Sequence, residues 1–436
     1  MRLLSIFTLL FTFSTLQAQQ TWSLEKCIDY ALKNNISLKQ RKVTTELSGI
    51  QVFQSYANLA PTWNASSSVG QNKGRSINLV TYDFVDEVNN SFSLSSQVSL
   101  TLFSGFKNWF QIKKSANELQ KSIYDLESSK NDLISAIALN YLQILFNTEL
   151  YNAAKKQHEL TQSQEERIKL LVEAGSIAKG ELLNIQSQLA LEEQQLIQAE
   201  NQLNLSKLQL AQSLEFEDYQ SLNISYLEIE VPELKLKESI KSDYNTALTK
   251  QFPIKSAELA VKSAEYDYKN SLANFSPRLS VGYSTGTNYN DYNDIYSFNE
   301  QFDNNANSTI TLNLSIPLFN KLNNHTALQQ SKIQIESANL SAQLAKNQLR
   351  KNMEQSYTDQ VGAYKKYLAA QKAVIAYQES FYYINTRYTL GMVNSYEFNE
   401  SKNRLIKSES DELQAKYDFI FKVKLYEFYT SLKFEL

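Results

Sequence analysis

The stretch Ala57-Asn58-Leu59-Ala60-Pro61 returns without a gap as Ala273-Asn274-Phe275-Ser276-Pro277, and the same interval of 216 residues holds along the chain. Leu102-Phe103 falls on Leu318-Phe319, Tyr141 on Tyr357, Tyr151 on Tyr367, Gly175 on Gly391 and Glu181 on Glu397. Identity between the copies is low, so what is kept is helix breakers, strand ends and helix turns. A period this long lies outside the roughly 20 to 50 residues of solenoids and propellers, and implies two similar halves side by side.

Outward from each proline the hydrophobic period changes. Before Pro61, Leu24, Ile28, Ala31, Leu32, Ile36, Leu38, Val43, Leu47 and Ile50 keep helical spacing with no internal proline, so one helix is expected from Trp22 to Leu59. Its counterpart runs from about Glu238 to Phe275, with Pro253 in a turn near the helix start or at a kink. After the prolines the period is two. Trp63, Ala65, Ser67 and Val69, then Phe92 to Leu102 at even positions, then Leu279, Val281, Tyr283 and Thr285, then Ile310 to Leu318, alternate with polar residues. Each run predicts a strand of roughly 9 to 12 residues with one apolar face, the length and alternation of a membrane-barrel strand. A soluble hairpin shares that alternation, but polar loops over 71–90 and 287–307 are long for one.

From Phe106 to about Leu171, and from about Asn323 to Leu390, the helical pattern resumes without proline for roughly 65 residues, or about 98 Å. Gly175 and Gly391 suit the stops. Return helices follow, in which Leu182, Leu189, Leu196, Leu203 and Leu210 recur by sevens and Phe398, Leu405, Glu412, Phe419 and Tyr426 share the register. Such spacing drives left-handed supercoiling against neighbours. Between the halves, Asn223-Ile224-Ser225-Tyr226 and Glu228-Ile229 predict a short strand.

The resulting organisation is a signal peptide at 1–18, a first repeat at 19–216, a linker at 217–237 and a second repeat at 238–436. The signal is read from Met1-Arg2, the apolar run Leu3 to Leu16 and Gln17-Ala18. No later run of about 18 apolar residues predicts a membrane helix. Five Pro and ten Gly among 436 residues fit very long helices. A net charge of −3 without a Lys/Arg run excludes the basic footprint of a nucleic-acid partner. Cys27 is the sole cysteine and reads as a small buried residue.

Four membrane strands cannot close a barrel, and an open sheet edge is not tolerated in lipid, so several chains must share one. Two chains give eight strands and a nearly filled interior, whereas three give twelve and a bore.

Helix, proline, strand, loop, strand, very long helix, glycine turn and heptad return helix, twice over behind a signal, resembles the TolC family of outer-membrane efflux ducts across essentially the whole mature chain. Leu24-Glu25 through Ala31-Leu32 with Asn35, Gly74-Arg75-Ser76-Ile77-Asn78, Glu173-Ala174-Gly175-Ser176 and Arg387-Tyr388-Thr389-Leu390-Gly391 add to the likeness. The resemblance implies a mainly α fold with membrane β: long coiled coils, four transmembrane strands per chain, and a trimeric twelve-strand barrel continued by a periplasmic helical tube. It implies an exit duct in the outer membrane of a Gram-negative bacterium, reaching into the periplasm in contact with outer-membrane lipid. The expected partners are a periplasmic adaptor (membrane fusion protein) and an inner-membrane RND, ABC or MFS transporter, in tripartite efflux or type I secretion. No cofactor or metal is expected. A periplasmic or surface coiled-coil protein without a channel would explain the heptads and leave the strands unexplained.

By the same resemblance, Glu397 and Glu400 occupy positions of an acidic ring that narrows the periplasmic tip. Glutamate stands there in place of aspartate, and the two lie one helical turn apart on one face. Glu181 and Tyr388 match positions that hold the closed tip. Val393 replaces an arginine latch, so that salt link is not copied. Gly175, Ile177, Gly391 and Val393 line the tip where an adaptor hairpin docks. An ordinary solvated helix face is the bland reading of the acids, and plain helix capping that of the glycines. Catalysis finds no support: His158 and His325 stand alone, and there is no metal-ligand spacing, phosphate loop or nucleophile elbow.

Overall fold

The computed structural model describes residues 21–77, 81–225, 230–234, 236–237, 239–291, 293 and 295–432. The signal expected at 1–18 and residues 226–229 of the expected linker strand lie outside them.

The first half runs α1 (Leu24–Asn34), α2 (Ile36–Ala57), β1 (Thr62–Ile77), β2 (Phe84–Phe103), α3 (Lys107–Glu173) and α4 (Lys179–Leu214). The second runs α5 (Lys241–Lys250), α6 (Phe252–Ala273), β3 (Arg278–Asn290), α7 (Phe298–Asn304), β4 (Asn307–Ser315), α8 (Asn323–Thr389) and α9 (Ser395–Ser431). Both ends of α2 and α3 recur 216 residues on, in α6 and α8. Two compact units cut across this order: the described residues of 1–40, 128–250 and 349–436 form a helical unit, and those of 41–127 and 251–348 a sheet unit.

The helix expected from Trp22 to Leu59 is divided at Asn35. Its Oδ1 accepts the Leu38 N–H at 3.1 Å and so caps α2, while its Nδ2 donates to the Ser213 carbonyl at 3.2 Å. An asparagine that offers the backbone this alternative ends a helix whose apolar period continues past it. In the second copy Gln251 is the N-cap and Pro253 sits in the first turn of α6, where the missing N–H removes no helical bond.

The core of the helical unit gathers Trp22, Cys27 and Ala31 with Ile137, Tyr141, Ile144 and Leu145 of α3, Leu210 and Leu214 of α4, and Tyr417 and Ile420 of α9. Cys27 is fully buried, and burial pushes its thiol up to about 12. Among the described residues α3 is the helix long and apolar enough by composition to cross a bilayer; six of its residues from Ile137 to Leu145 lie in this core. Tyr141 donates its hydroxyl to the Ser225 carbonyl at 2.8 Å. Its counterpart Tyr357 bonds both the N–H and the carbonyl of Lys237. Each retained tyrosine thus ties a long helix to the segment joining the halves. That segment meets Trp22 through a parallel bridge at Ile224, the described part of the expected strand.

In the sheet unit the described strands form one antiparallel sheet in the order β1-β2-β3-β4. Its register sorts the faces. Trp63, Val98, Tyr283 and Ile310 stand in one row, and Leu100, Val281 and Leu312 in the next. On the other face Thr62, Ser99, Gly282 and Thr311, then Asn64, Gln97, Ser284 and Thr309, are aligned. Leu94, Val98, Leu100, Leu312 and Leu314 share one face and Ser99, Thr101, Asn313 and Ser315 the other, whereas Ile316 and Leu318, expected to continue the apolar face, follow the end of β4.

β1 and β2 are longer than expected, at 16 and 20 residues. Most of the loop expected at 71–90 is strand, paired up to Ile77 with Phe84. Past the apolar alternation the ladder continues through polar residues such as Gln71 and Asn90, whose side chains bond at 3.0 Å. Likewise β3 continues to Asn290, and within the second expected loop Ser297 and Glu300 close a capping box that starts α7. At the end of β2 the chain turns into α3 through Gly105, whose φ is +66° and where a Cβ would lie 2.5 Å from that of Ser276.

Leu314 is 59% exposed on the apolar face. Leu314→Arg is expected to lower membrane assembly by about 2–4 kcal/mol, the cost of a lipid-facing cation at the bilayer midplane, while Asn313→Arg on the polar face is tolerated. The yield of folded, membrane-extracted protein for the two variants measures the difference.

Candidate functional site

Both long helices end in the same turn. The Gly175 N–H donates to Val172 O and the Ser176 N–H to Leu171 O, each at 2.9 Å; Gly391 donates to Tyr388 O at 3.0 Å and Met392 to Arg387 O at 2.9 Å. This double closure needs a left-handed residue after the helix, and both glycines have φ +70°. A Cβ on either would meet nothing within 4 Å, so conformation and not space selects glycine. Of the residues expected at an adaptor surface, Gly175 and Gly391 are exposed, and Ile177 and Val393 are half-buried.

The turns hand over to α4 and α9 in equivalent ways. Ala178 and Asn394 are the N-caps, which places Glu181 and Glu397 at matching positions in the first turns, where a carboxylate is favoured by the helix dipole. The Glu397 N–H donates to Asn394 Oδ1 at 2.9 Å. Tyr388 stacks on Phe398 with centroids 4.5 Å apart, and Phe398 meets Phe381 at 5.6 Å. Burial raises the Tyr388 hydroxyl pKa, the nearby Glu181 carboxylate raises it further, and Arg167 opposes both. Tyr388 and Glu181 therefore lie within electrostatic reach of one another. Glu397 and Glu400 are both exposed, but they differ: Glu400 forms an ion pair with Arg404 one turn along α9, which partly offsets its charge.

Below the turns lies a cluster the sequence reading missed. Lys402 of α9 is buried and donates Nζ to Thr161 Oγ1 of α3 at 2.8 Å and to Glu192 Oε1 of α4 at 3.4 Å. Glu192 Oε1 also accepts from Gln157 at 3.2 Å and from Gln188 at 2.8 Å, and Gln188 donates to Asn403 at 3.1 Å. Burial lowers the Lys402 ammonium pKa, and Glu192 works against that loss. The available signal was a charge on the seam itself, since Lys402 follows Phe398 by one turn and Glu192 follows Ile185 by seven.

A profile of the outer membrane efflux protein family matches residues 27–214 and again 244–420. The chain belongs to this family. It is similar to the Toxin and drug export protein A of Aggregatibacter actinomycetemcomitans, 21% identical over 413 residues that cover 91% of this chain and 83% of that protein. The Alkaline protease secretion protein AprF of Pseudomonas aeruginosa is 28% identical over 180 residues, covering 41% of this chain and 35% of that one. Among solved structures, the CmeC outer membrane channel of Campylobacter jejuni superposes with a TM-score of 0.81 at 19% identity, over 93% of this chain and 85% of that one. The fold is therefore TolC-like, and the chain is an outer-membrane channel of efflux or secretion. A coiled-coil protein without a channel is set aside by the same match.

Removing one member of the buried pair leaves the other charge uncompensated, which typically costs about 3–5 kcal/mol. Lys402→Met is expected to destabilise the protein by that order. Adding Glu192→Leu is expected to recover a large part of the loss, read from denaturation midpoints of the two variants.

Proposed function

We propose that three copies of the chain build one duct of twelve strands and a periplasmic helical tube, which passes cargo from an inner-membrane transporter of the RND, ABC or MFS type through a periplasmic adaptor to the outside. The observation that carries this reading is the sheet register, which gathers the large apolar residues on one face and polar residues on the other and leaves the outer edges of β1 and β4 unpaired among the described residues. An apolar face turned to outer-membrane lipid and a polar face turned to water suit a wide barrel, and only further copies can pair the edges of β1 and β4. The duct performs no reaction of its own; energy comes from the transporter. Its division into a first repeat, a linker and a second repeat gives each copy two hairpins and two helical tips.

At the tip, Glu397 and Glu400 narrow the mouth, and Glu181 and Tyr388 help hold it. The residues around the two turns, Gly175, Ile177, Gly391 and Val393, receive the adaptor. Carboxylates about 6 Å apart around one axis repel by roughly 0.7 kcal/mol in water and nearer 3 kcal/mol at an effective dielectric of 20, and this favours bound cations.

Purified protein in detergent should give the intact mass of a trimer; a monomer or dimer overturns the assembly. In planar bilayers the channel should be cation-selective and blocked by a polyvalent cation added on the periplasmic side. Glu397→Gln should weaken that block more than Glu400→Gln, because Arg404 already offsets Glu400. Unchanged conductance, selectivity and block in the double variant return both acids to a solvated helix face.

A further inference from the structure

The polar face of the sheet is almost free of charge. From Thr62 to Gly70, from Ser91 to Thr101 and along all of β3 and β4, its side chains are Ser, Thr, Asn and Gln with glycine among them, and one cation, Arg278. Arg278 is the first residue of β3 and pairs with Ser315, the last of β4, so it stands at the end of the sheet where the chain passes into helices. Lys107 opens α3 at that same end. Both cations line one open cavity of about 720 Å³, walled by Thr62, Ser99, Thr101 and Ser315 of the polar face and by the ends of α2 and α6. No carboxylate is among its described lining residues.

The partners of the two cations aim them without neutralising them. Arg278 Nη2 donates to Thr101 Oγ1 at 3.2 Å, and Lys107 Nζ donates to Asn274 Oδ1 at 2.9 Å. Both acceptors are uncharged, and both cations are exposed. An acid does stand close by, since Asp267 shares a neighbouring groove with Lys107. Its carboxylate is already held by Lys114 at 2.8 Å. The fold does not need either charge. At the repeat interval of 216 their counterparts are Thr62, the first residue of β1, and Asn323, the first residue of α8, so the same element ends form without them.

We propose that Arg278 and Lys107 form an anion site at the inner end of the barrel, which takes the carboxylate, sulfate or phosphate groups of solutes inside the duct. This rests on the multi-copy duct argued above, in which the polar face lines water. Three copies then set three Arg278 and three Lys107 around one bore, and a cleft lined by one sign of charge concentrates the opposite sign within it. The guanidinium offers a planar fork to two oxygens, while the ammonium adds a movable point charge. The site is opposite in sign to the acids at the tip. An anionic solute that has passed the tip is drawn to this collar before it enters the uncharged stretch of the barrel.

The test is block of single channels in a planar bilayer by inorganic tripolyphosphate, added in turn to each side at about 0.1 M salt. The wild-type channel is expected to be blocked from at least one side. Block should fade at about 1 M salt, where the screening length falls from about 10 Å to about 3 Å. Arg278→Thr/Lys107→Asn gives each position the residue that the other repeat carries there, so a trimer should form with its open conductance little changed. That variant is expected to raise the half-blocking concentration about tenfold or more. Each single substitution should give part of the rise, and Arg278→Lys should keep most of the block. A conducting wild type that tripolyphosphate does not block overturns the site and leaves the duct intact, as does equal block in the wild type and in the single and double variants. A monomer by native mass that forms no channel overturns the duct and the site together.

Discussion

In hydrocarbon a backbone N–H or C=O without a partner costs several kcal/mol, and a strand edge presents a row of them. β2 and β3 have neighbours on both sides, but β1 and β4 each keep one edge open among the described residues. The apolar face formed by Trp63, Val98, Tyr283 and Ile310 is equally unsuited to water, since Trp63 is 76% and Ile310 77% exposed in a single copy. Neither solvent suits the isolated sheet. Closure among copies satisfies both demands, because it pairs the edges, gives the apolar face to lipid and leaves Asn64, Gln97, Ser284 and Thr309 to line water. In the proposed assembly, the internal duplication brings two hairpins of each chain to that closure.

What the two repeats retain and what they vary follows from local physics. Gly175 and Gly391 are kept because each turn needs φ near +70°. Tyr141 and Tyr357 are kept because each fastens a different piece of the joining segment with its hydroxyl. Gly105, by contrast, corresponds to Lys321, though both have positive φ. Ser276 crowds Gly105, so that position excludes a side chain for steric reasons as well as conformational ones. Lys402 and Glu192 correspond to Gln186 and Ser408. A buried ion pair needs both partners at once; here each repeat supplies one of them, and the counterpart positions carry neither charge.

Breakers and periods were the legible part of the sequence. Pro61, Pro277, Gly175 and Gly391 located the element ends, and the change of period from 3.6 to 2 located the strands. The strand extensions were not legible, because beyond Gln71 and Asn90 polar and apolar residues no longer alternate: Asn72 pairs with Asn89, Lys73 with Val88 and Ile77 with Phe84. The break at Asn35 was hidden because the apolar period runs straight through a side-chain cap. At the tip, the acids and Tyr388 were found through family likeness, while the stacking of Tyr388 on Phe398 and the Arg404 partner of Glu400 required the helices to be set side by side. Lys402 and Glu192 are 210 residues apart, and no local pattern joins them.

The buried pair also answers a problem that heptads create. Phe398, Phe419 and Tyr426 share one heptad register and meet α8 at Phe381, Tyr367 and Tyr357, so α9 moved by one heptad along α8 would still bring aromatic residues to that seam. The charges do not tolerate that move. A shift in one direction brings Glu409 to the place of Lys402, against the carboxylate of Glu192; a shift in the other brings Ser395, which cannot neutralise it. Either slip leaves a buried charge unpaired, at a cost of several kcal/mol that the apolar seam alone would not impose. The contribution of Lys402 and Glu192 to net stability is small by comparison, since desolvation offsets their attraction. Their contribution is to registry: they fix which turn of α9 stands opposite which turn of α4. With the helices so fixed, Phe398 can stack on Tyr388, and Glu397 stands at a defined height above the seam.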